Sequence, residues 1–583
     1  MRLKDNAAKA LLLLGISLLC FLLYLNISVG KKPAADNIPA QVVVETLQRS
    51  EHKANPISKL NYHNQIQGSH WQQRMAVFEV SEPLYREPVP VPKPDSYHRL
   101  VHLDLKGANP KMNYLLQVIP RFAEWGATGL LVEYEDTFPY RGELSVLQAS
   151  DAYSLDEIQQ LQEAAKHHDL EYIPLIQTFG HFEFVLKHEK FSSLREVFES
   201  PQALCPSREE SFQVVKLLID QIMENHPNLR YLHIGADEVM FLGKCRACQQ
   251  RLESELHGNM EKLFLSHVVK VLHYIHETYP NVQPIMWDDM LRHVSATQMK
   301  AYNLGNLVEP MVWNYKWNTK LFHRTVPTEV WMSYNSVFKN IWAASAFKGA
   351  TGVAQYYVDI TKHIGNHHLW LEVINREMPS GINFRGYALT GWQRYDHFAV
   401  LCELLPAGLP SLAFCLQTLI QGGFNKRIHQ NVSQSLGFKE QLQLDLDMYP
   451  VSKISFLEES CKFPGCIVYS ATKELVHLEY SSEMQKLCGN PASRFEGYLT
   501  DYQLQHDLTD HTRMDQIHRL ATLLSNSVNT AIDVMERALP EVFHQRAVAE
   551  WMQTRAGPLQ KKVSEIRDKS KTTDSEGKIA QKQ

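Results

Sequence analysis

Between residue 99 and about residue 415 the chain repeats one pattern, a short apolar run followed by an amphipathic stretch of helical period. The runs fall at 100–105, 129–134, 172–178, 231–235, 282–287, 307–313, 341–346 and 387–392. Two of the helices between them announce their starts. Ser154-Leu155-Asp156-Glu157 leads a helix over 156–168, and Ser207-Arg208-Glu209-Glu210 leads one over 209–224. Both tetrads fit the S-x-x-E capping box, in which Ser and Glu satisfy free backbone N–H groups at a helix start. Strands alternating with helices over about 300 residues predict a (β/α)8 TIM barrel with insertions. A doubly wound open sheet is the competing α/β architecture, but the chain has no Gly-rich phosphate loop to support it.

The flanks have a different texture. Arg2, Lys4 and Lys9 precede an apolar stretch from Ala10 to Val29, interrupted only by Gly15, Ser17, Asn26 and Ser28. About 20 mostly apolar residues span a bilayer as a helix. Residues 1–30 are therefore expected to be a cytoplasmic stub and signal-anchor, a membrane contact through an N-terminal helix. A cleaved signal peptide is the alternative, because Ser28-Val29-Gly30 is a passable cleavage site. Either reading sends the body into the secretory pathway, as a single-pass type II membrane protein, Golgi-like, or as a secreted one. In that compartment Asn431-Val432-Ser433 is a glycosylation acceptor triplet.

Residues 31–97 read as a stem, with Glu87-Pro88-Val89-Pro90-Val91-Pro92-Lys93-Pro94 favouring an extended polyproline spacer. The barrel is expected over 98–448 and a mainly helical region over 449–567, with helices from Met514 to Leu539 and from Pro540 to Ile566. Residues 568–583, poor in apolar side chains, are expected to be a disordered tail. A net charge of -5 on 583 residues gives no case for nucleic acid. The oligomeric state is open, with a homodimer among the expectations.

Nine cysteines suit an oxidising compartment without proving it. Cys402 and Cys415 lie in apolar runs and read as buried thiols. Cys245-Arg246-Ala247-Cys248 is half of a zinc-site spacing, but no second C-x-x-C completes it. A local disulfide or two plain thiols is the expectation, with no metal and no cofactor.

The chemistry gathers at the ends of the apolar runs, where barrel enzymes place their active sites. His233-Ile234-Gly235-Ala236-Asp237-Glu238-Val239 carries two adjacent carboxylates, which repel and are costly to remove from water. Other run ends offer Asp104 and Lys106, then Glu133, Glu135 and Asp136, then Gln177 and His181. Beyond these come Trp287, Asp288 and Asp289, then Trp313 and Tyr315, then Trp392 and Arg394. Each has a plain explanation alone, such as a helix cap or a packed core ring. Together they describe a pocket with aromatic walls and several carboxylates, which suits a carbohydrate.

Two blocks make the reading specific. Tyr153-Ser154-Leu155-Asp156-Glu157-Ile158 leads to Pro174-Leu175-Ile176-Gln177-Thr178-Phe179-Gly180-His181, and His233-Ile234-Gly235-Ala236-Asp237-Glu238 follows some fifty residues later. In this order they resemble the signatures of family 20 glycoside hydrolases, the β-N-acetylhexosaminidases: Y-[ST]-x-x-[DE]-[IV], P-E-x-D-x-P-G-H and H-x-G-x-D-E. Within that family the chain is similar to hexosaminidase D members, on Trp342-Ala343-Ala344-Ser345-Ala346-Phe347-Lys348-Gly349 and Thr390-Gly391-Trp392-Gln393-Arg394-Tyr395-Asp396.

The resemblance implies an exo-acting retaining enzyme on β-linked N-acetylhexosaminide glycoconjugates, with GalNAc preferred over GlcNAc. In it Glu238 is the general acid and base, and the substrate's own acetamido oxygen is the nucleophile, giving an oxazolinium ion. Asp237 orients the acetamido N–H. His181, Trp287, Asp288, Trp313, Tyr315, Trp392 and Arg394 are the expected substrate contacts. The departures are Gln177 for an acidic residue, Phe179 for a proline, and Arg394 where many members hold sugar hydroxyls with a glutamate. No tyrosine stands near Phe347, which leaves Tyr315 to hold the acetamido carbonyl. The small α/β domain that often precedes the family's barrel is absent from the pattern. A sugar-binding pseudoenzyme is the rival reading, carried by Gln177 and Arg394.

Overall fold

The computed structural model describes residues 84–90, 96–444, 461–489 and 495–571. The expected anchor, most of the stem and the last twelve residues of the expected tail, 572–583, lie outside the described residues. Among the described residues no helix is long and apolar enough to cross a membrane.

The strands are β1 His98–Asp104, β2 Gly129–Glu133, β3 Glu171–Leu175, β4 Arg195–Val197, β5 Ser200–Leu204, β6 Tyr231–His233, β7 Gln283–Trp287, β8 Glu309–Trp313, β9 Asn340–Lys348 and β10 Asn383–Gly391. Eight of them close a parallel barrel in the order β1-β2-β3-β6-β7-β8-β9-β10. Every expected run supplies one barrel strand. The antiparallel hairpin β4–β5, inserted between β3 and β6, was not legible in the sequence.

Two apolar clusters hold the barrel. Leu100, Leu131, Ile173, Ile285, Met311, Trp342 and Ala388 point inward and fill its interior, with Trp313 and Trp392 packed at one end. Residues of the opposite strand phase, such as Val101, Leu130, Leu232, Met286 and Val312, join the larger cluster under the helices. Burial on both faces explains why the runs read as continuously apolar.

The helix starts divide. Ser154 and Glu157 form the full capping box of the helix Leu155–His167. Ser207 does not cap the helix Glu209–Asn225, whose N-cap is Arg208 without a side-chain bond. Its hydroxyl lies instead 3.1 Å from Cys248 Sγ.

In the C-terminal region Pro540 does not divide two helices, because the helix His511–Val542 runs through it. The loop after β1 stabilises that end. Lys111 donates its backbone N–H to Val542 O and its ammonium to Pro540 O, both at 2.7 Å. The last helix, Gly557–Lys569, runs past the expected start of the tail, and Ser570 is buried.

The described end of the stem is docked rather than a free spacer. Arg86 and Val89 donate to Phe424 O and Gly422 O, and Tyr85 stacks on Phe424 at 5.7 Å. Asn431 of the acceptor triplet is exposed on the helix Lys426–Ser435, whereas the Ser433 hydroxyl is buried and donates to His429 O.

At the N-terminal end of the barrel Glu309 accepts from Arg385 (2.8 Å), Asn340 (2.7 Å) and Trp342 Nε1 (2.8 Å) while nearly fully buried. Glu309→Ala strips an acceptor from all three, and the buried indole N–H is left unpaired. The expected cost is about 2–3 kcal/mol, read as a lower urea midpoint. An unchanged midpoint would mean that the three donors find other partners.

Candidate active site

The C-terminal ends of the barrel strands surround a cavity of about 230 Å³. That volume is below the ~300–1,000 Å³ of drug-sized sites and is on the scale of one sugar ring. Trp287, Trp313, Tyr315 and Trp392 wall it. Trp392 lies 6.0 Å from Trp287 between ring centres, and Tyr315 stacks on Trp313 at 5.2 Å. Flat rings set at angles to one another offer apolar surface to the C–H faces of a sugar.

The acidic corner depends on unusual backbone. His181, Ala236 and Glu238 all have left-handed φ, at 49°, 66° and 44°. Such conformations cost of order 1–3 kcal/mol each in a non-glycine residue and persist only where surrounding contacts over-determine them. Three contacts do so here. Asp289 Oδ2 accepts the Glu238 N–H at 2.9 Å, and Gln202 Nε2 donates to Glu238 O at 2.6 Å. Gly180 packs against the Asp237 carbonyl so closely that any Cβ would collide with it.

His181 Nε2 then faces Glu238 Oε2 at 3.1 Å and Asp237 Oδ2 at 3.6 Å. Asp237 Oδ1 is buried without a hydrogen-bond partner. An unpaired buried carboxylate oxygen is a costly acceptor, and this one belongs to a residue that lines the cavity. Trp287 Nε1 and Gln177 Oε1 are likewise buried, unpaired and on residues lining the cavity.

Burial, together with the Asp289 and Glu238 carboxylates, pushes Asp237 up to about 8, against the opposing pull of His181. Partial burial disfavours the charge of His181, but Asp237 and the hydrogen bond to Glu238 hold it well above the usual imidazole value. Burial also raises Asp289 to about 6. The corner therefore favours protons shared among the Asp237 and Asp289 carboxylates and the His181 imidazole.

A second charged group closes the opposite wall. Lys106 pairs with Asp104 at 2.8 Å and Glu135 at 3.5 Å and lies 5.2 Å over Trp392. Glu133, although buried, is held well below the usual carboxylate range by Lys106 and His102. Gln177 Nε2 donates to Glu133 Oε1 at 3.1 Å, so the amide in place of an acid is paired with a carboxylate on the next strand.

Of the expected site residues, Asp237, Glu238, His181, Trp287, Trp313, Tyr315, Trp392 and Arg394 all line the cavity. Asp288 does not. It is fully buried in a two-bond pair with Arg292 (2.5 and 2.7 Å) and accepts from Tyr334. Its neighbour Asp289 takes the place at the corner, with Oδ1 accepting Trp313 Nε1 at 3.1 Å. An arginine four residues after Asp288 was the available signal, since i,i+4 pairs face each other on a helical turn. Arg394 lines the cavity while its guanidinium is engaged by Glu550 at 2.6 Å and by Ala399 O. Gln202, on the unforeseen hairpin, had no sequence signal.

Residues 113–334 match the catalytic domain of glycosyl hydrolase family 20. A human protein named Hexosaminidase D is 41% identical over 477 residues, 82% of this chain and 95% of that protein. A bovine protein of the same name is 48% identical over 339 residues, 58% of this chain and 96% of that protein. A solved β-N-acetylhexosaminidase from Bacteroides fragilis aligns with a TM-score of 0.44 at 15% identity, over 58% of this chain and 70% of that one.

The raised values have a consequence for stability. Asp237 goes from 3.8 to about 8 on folding, so its favourable contribution is complete below 3.8 and is lost as pH rises toward 8. His181, raised above 6.5, has the same sign, with its contribution lost as pH rises through its folded value. The Tm of the ligand-free protein is expected to fall between about pH 4 and pH 8 through these groups. Asp237→Asn, which removes one group and takes one of two carboxylate partners from the other, should flatten that fall in a scanning-fluorimetry series. Parallel slopes in the two proteins would contradict the assignment.

Proposed function

The chain belongs to glycosyl hydrolase family 20 and is a β-N-acetylhexosaminidase, and from that premise we propose that it releases terminal β-linked GalNAc, or less readily GlcNAc, by substrate-assisted catalysis with retention. The carrying observation is the unpaired, buried Asp237 Oδ1 beside a carboxyl, Glu238, that keeps a third of its side-chain surface exposed (34%). One group has an acceptor with nothing to accept from. The other reaches the space where a glycosidic oxygen would stand.

With a sugar in the cavity, the acetamido N–H donates to Asp237 Oδ1 and relieves the orphaned oxygen. Glu238 gives its proton to the glycosidic oxygen as the C1–O bond breaks. The acetamido carbonyl oxygen attacks C1 from the opposite face and forms an oxazolinium ion, whose positive charge spreads to the nitrogen that Asp237 holds. Glu238 then takes a proton from water as the water opens that ring, and the β configuration is restored. Such enzymes are an exception to the scheme in which a second carboxylate is the nucleophile. Asp237 acts where charge develops, so its interaction strengthens in the transition state.

Tyr315, close enough to Trp313 and Trp392 to share their wall, supplies the hydroxyl for the acetamido carbonyl. The small cavity supports exo action on one terminal residue. Likeness to hexosaminidase D supports the GalNAc preference, and Arg394, a donor in place of a carboxylate acceptor, supports a different reading of the sugar hydroxyls. The apolar stretch from Ala10 to Val29 supports delivery of the catalytic unit to the secretory pathway.

Chromogenic β-GalNAc, β-GlcNAc and β-glucoside substrates test the reading on the purified chain. Cleavage is expected in the order GalNAc above GlcNAc, with none of the glucoside. Glu238→Gln should lower kcat by about 10²-fold or more, and Asp237→Asn by a comparable factor on the acetamido sugars. Near-normal turnover by Glu238→Gln would sink the assignment.

A further inference from the structure

The hairpin β4–β5 and the loop that carries Glu238 meet at a group of side chains that hydrolysis does not use. Glu196 lies in β4, Cys205 follows β5, and Cys245 and Cys248 open the helix Arg246–Ser254. Cys205 Sγ is 3.2 Å from Cys245 Sγ and 3.6 Å from Cys248 Sγ, and Cys248 Sγ is 3.2 Å from Glu196 Oε2. All four ligand atoms lie within 4.8 Å of one another. Zinc held at ~2.3 Å by thiolates sets sulfur–sulfur edges of about 3.8 Å in a tetrahedron. The cluster already has nearly those dimensions.

The carboxylate is the more telling member. Glu196 is 3% exposed and makes no ion pair among the described residues. A buried carboxylate without a cation is costly, and a metal is one of the few partners that would offset it. Its Oε1 accepts the N–H groups of Lys244 (2.6 Å) and Cys245 (3.0 Å), which turns Oε2 toward the sulfurs. Cys245 Sγ accepts the Cys248 N–H at 3.3 Å. Outer hydrogen bonds of this kind orient metal ligands. A Cys205–Cys245 disulfide is the competing chemistry. It would use two sulfurs and leave both Cys248 and the buried carboxylate unexplained.

We propose that Glu196, Cys205, Cys245 and Cys248 form a structural zinc site that staples the hairpin to the loop carrying Glu238. Four protein ligands close the coordination sphere, which marks a structural rather than a catalytic metal. Binding releases the three thiol protons to solvent and changes no oxidation state. The site fixes one end of the segment 238–248. Gln202, on the same hairpin, fixes the other, accepting the Met240 N–H at 3.2 Å and donating to Glu238 O at 2.6 Å. Metal and amide together hold the left-handed turn at Glu238.

The test is elemental analysis of the full chain purified after growth with zinc, alongside mass-spectrometric mapping of alkylated thiols. About one zinc per chain is expected, with all three cysteines alkylated once the protein is unfolded with a chelator. Cys248→Ser should lose the metal. To separate loss of metal from loss of fold, cobalt is also exchanged into the wild-type chain, where thiolate-to-cobalt charge-transfer and tetrahedral ligand-field bands are expected. Removing the metal should raise amide exchange across 238–248 by about tenfold or more. A folded chain that holds no zinc after incubation with it overturns the proposal, whether the thiols are free or Cys205 and Cys245 are joined. Unchanged exchange across 238–248 overturns the stapling. Neither readout depends on hydrolytic activity, so failure here is separable from failure of the proposed reaction.

Discussion

Asp237, Glu238 and Asp289 are brought to one corner of a small cavity, where their mutual repulsion and the loss of water would ordinarily scatter them. His181 is what makes the arrangement tenable. Its Nε2 faces Glu238 at 3.1 Å and Asp237 at 3.6 Å, and the charge it gains offsets part of the carboxylates' own. The balance is incomplete, and Asp237 rests with a raised proton affinity and one oxygen with no donor. A substrate that supplies an N–H at that point satisfies it. In the proposed reaction, the same imbalance that costs stability in the empty site favours an acetamido sugar over a plain one.

Holding that corner requires the surrounding chain to tolerate strain. Left-handed φ at His181, in the loop after β3, and at Ala236 and Glu238, in the loop after β6, places three kinks around the acids. Asp289 and Gln202 fix the Glu238 peptide from its two sides, and the close packing at Gly180 brings the loop after β3 against the loop after β6. The barrel supplies stiffness beneath these loops through its filled interior. The C-terminal helices add a restraint at the rim, where Glu550 holds Arg394 and Arg546 pairs with Asp151 at 2.6 Å.

The barrel was legible because its strands are buried on both faces, so each is a compact apolar run between helices of clear period. Acid pairs at a run end were legible for the complementary reason, since nothing in a core explains them. What escaped depends on contacts between distant segments. The strands β4 and β5, of three and five residues, are too short and too polar to show a period, and with them Gln202 went unseen. Asp288 and Asp289 are chemically alike, and only the turn after Trp287 decides which faces Arg292 and which the Glu238 peptide. Ser207 fits a capping box yet turns toward Cys248. Cys205 lies 40 residues before Cys245, too far for any spacing rule to join it to the C-x-x-C pair.

Participation of the substrate's own acetamido group is the central claim, and varying that group's nucleophilicity tests it most directly. Turnover of the 4-nitrophenyl β-glycosides bearing N-acetyl, N-fluoroacetyl, N-difluoroacetyl and N-trifluoroacetyl groups would be compared under one set of conditions. A steep, monotonic fall in kcat/KM with each added fluorine is expected, because fluorine withdraws electrons from the attacking carbonyl oxygen. Rates indifferent to fluorination would contradict the account and require a nucleophile from the protein.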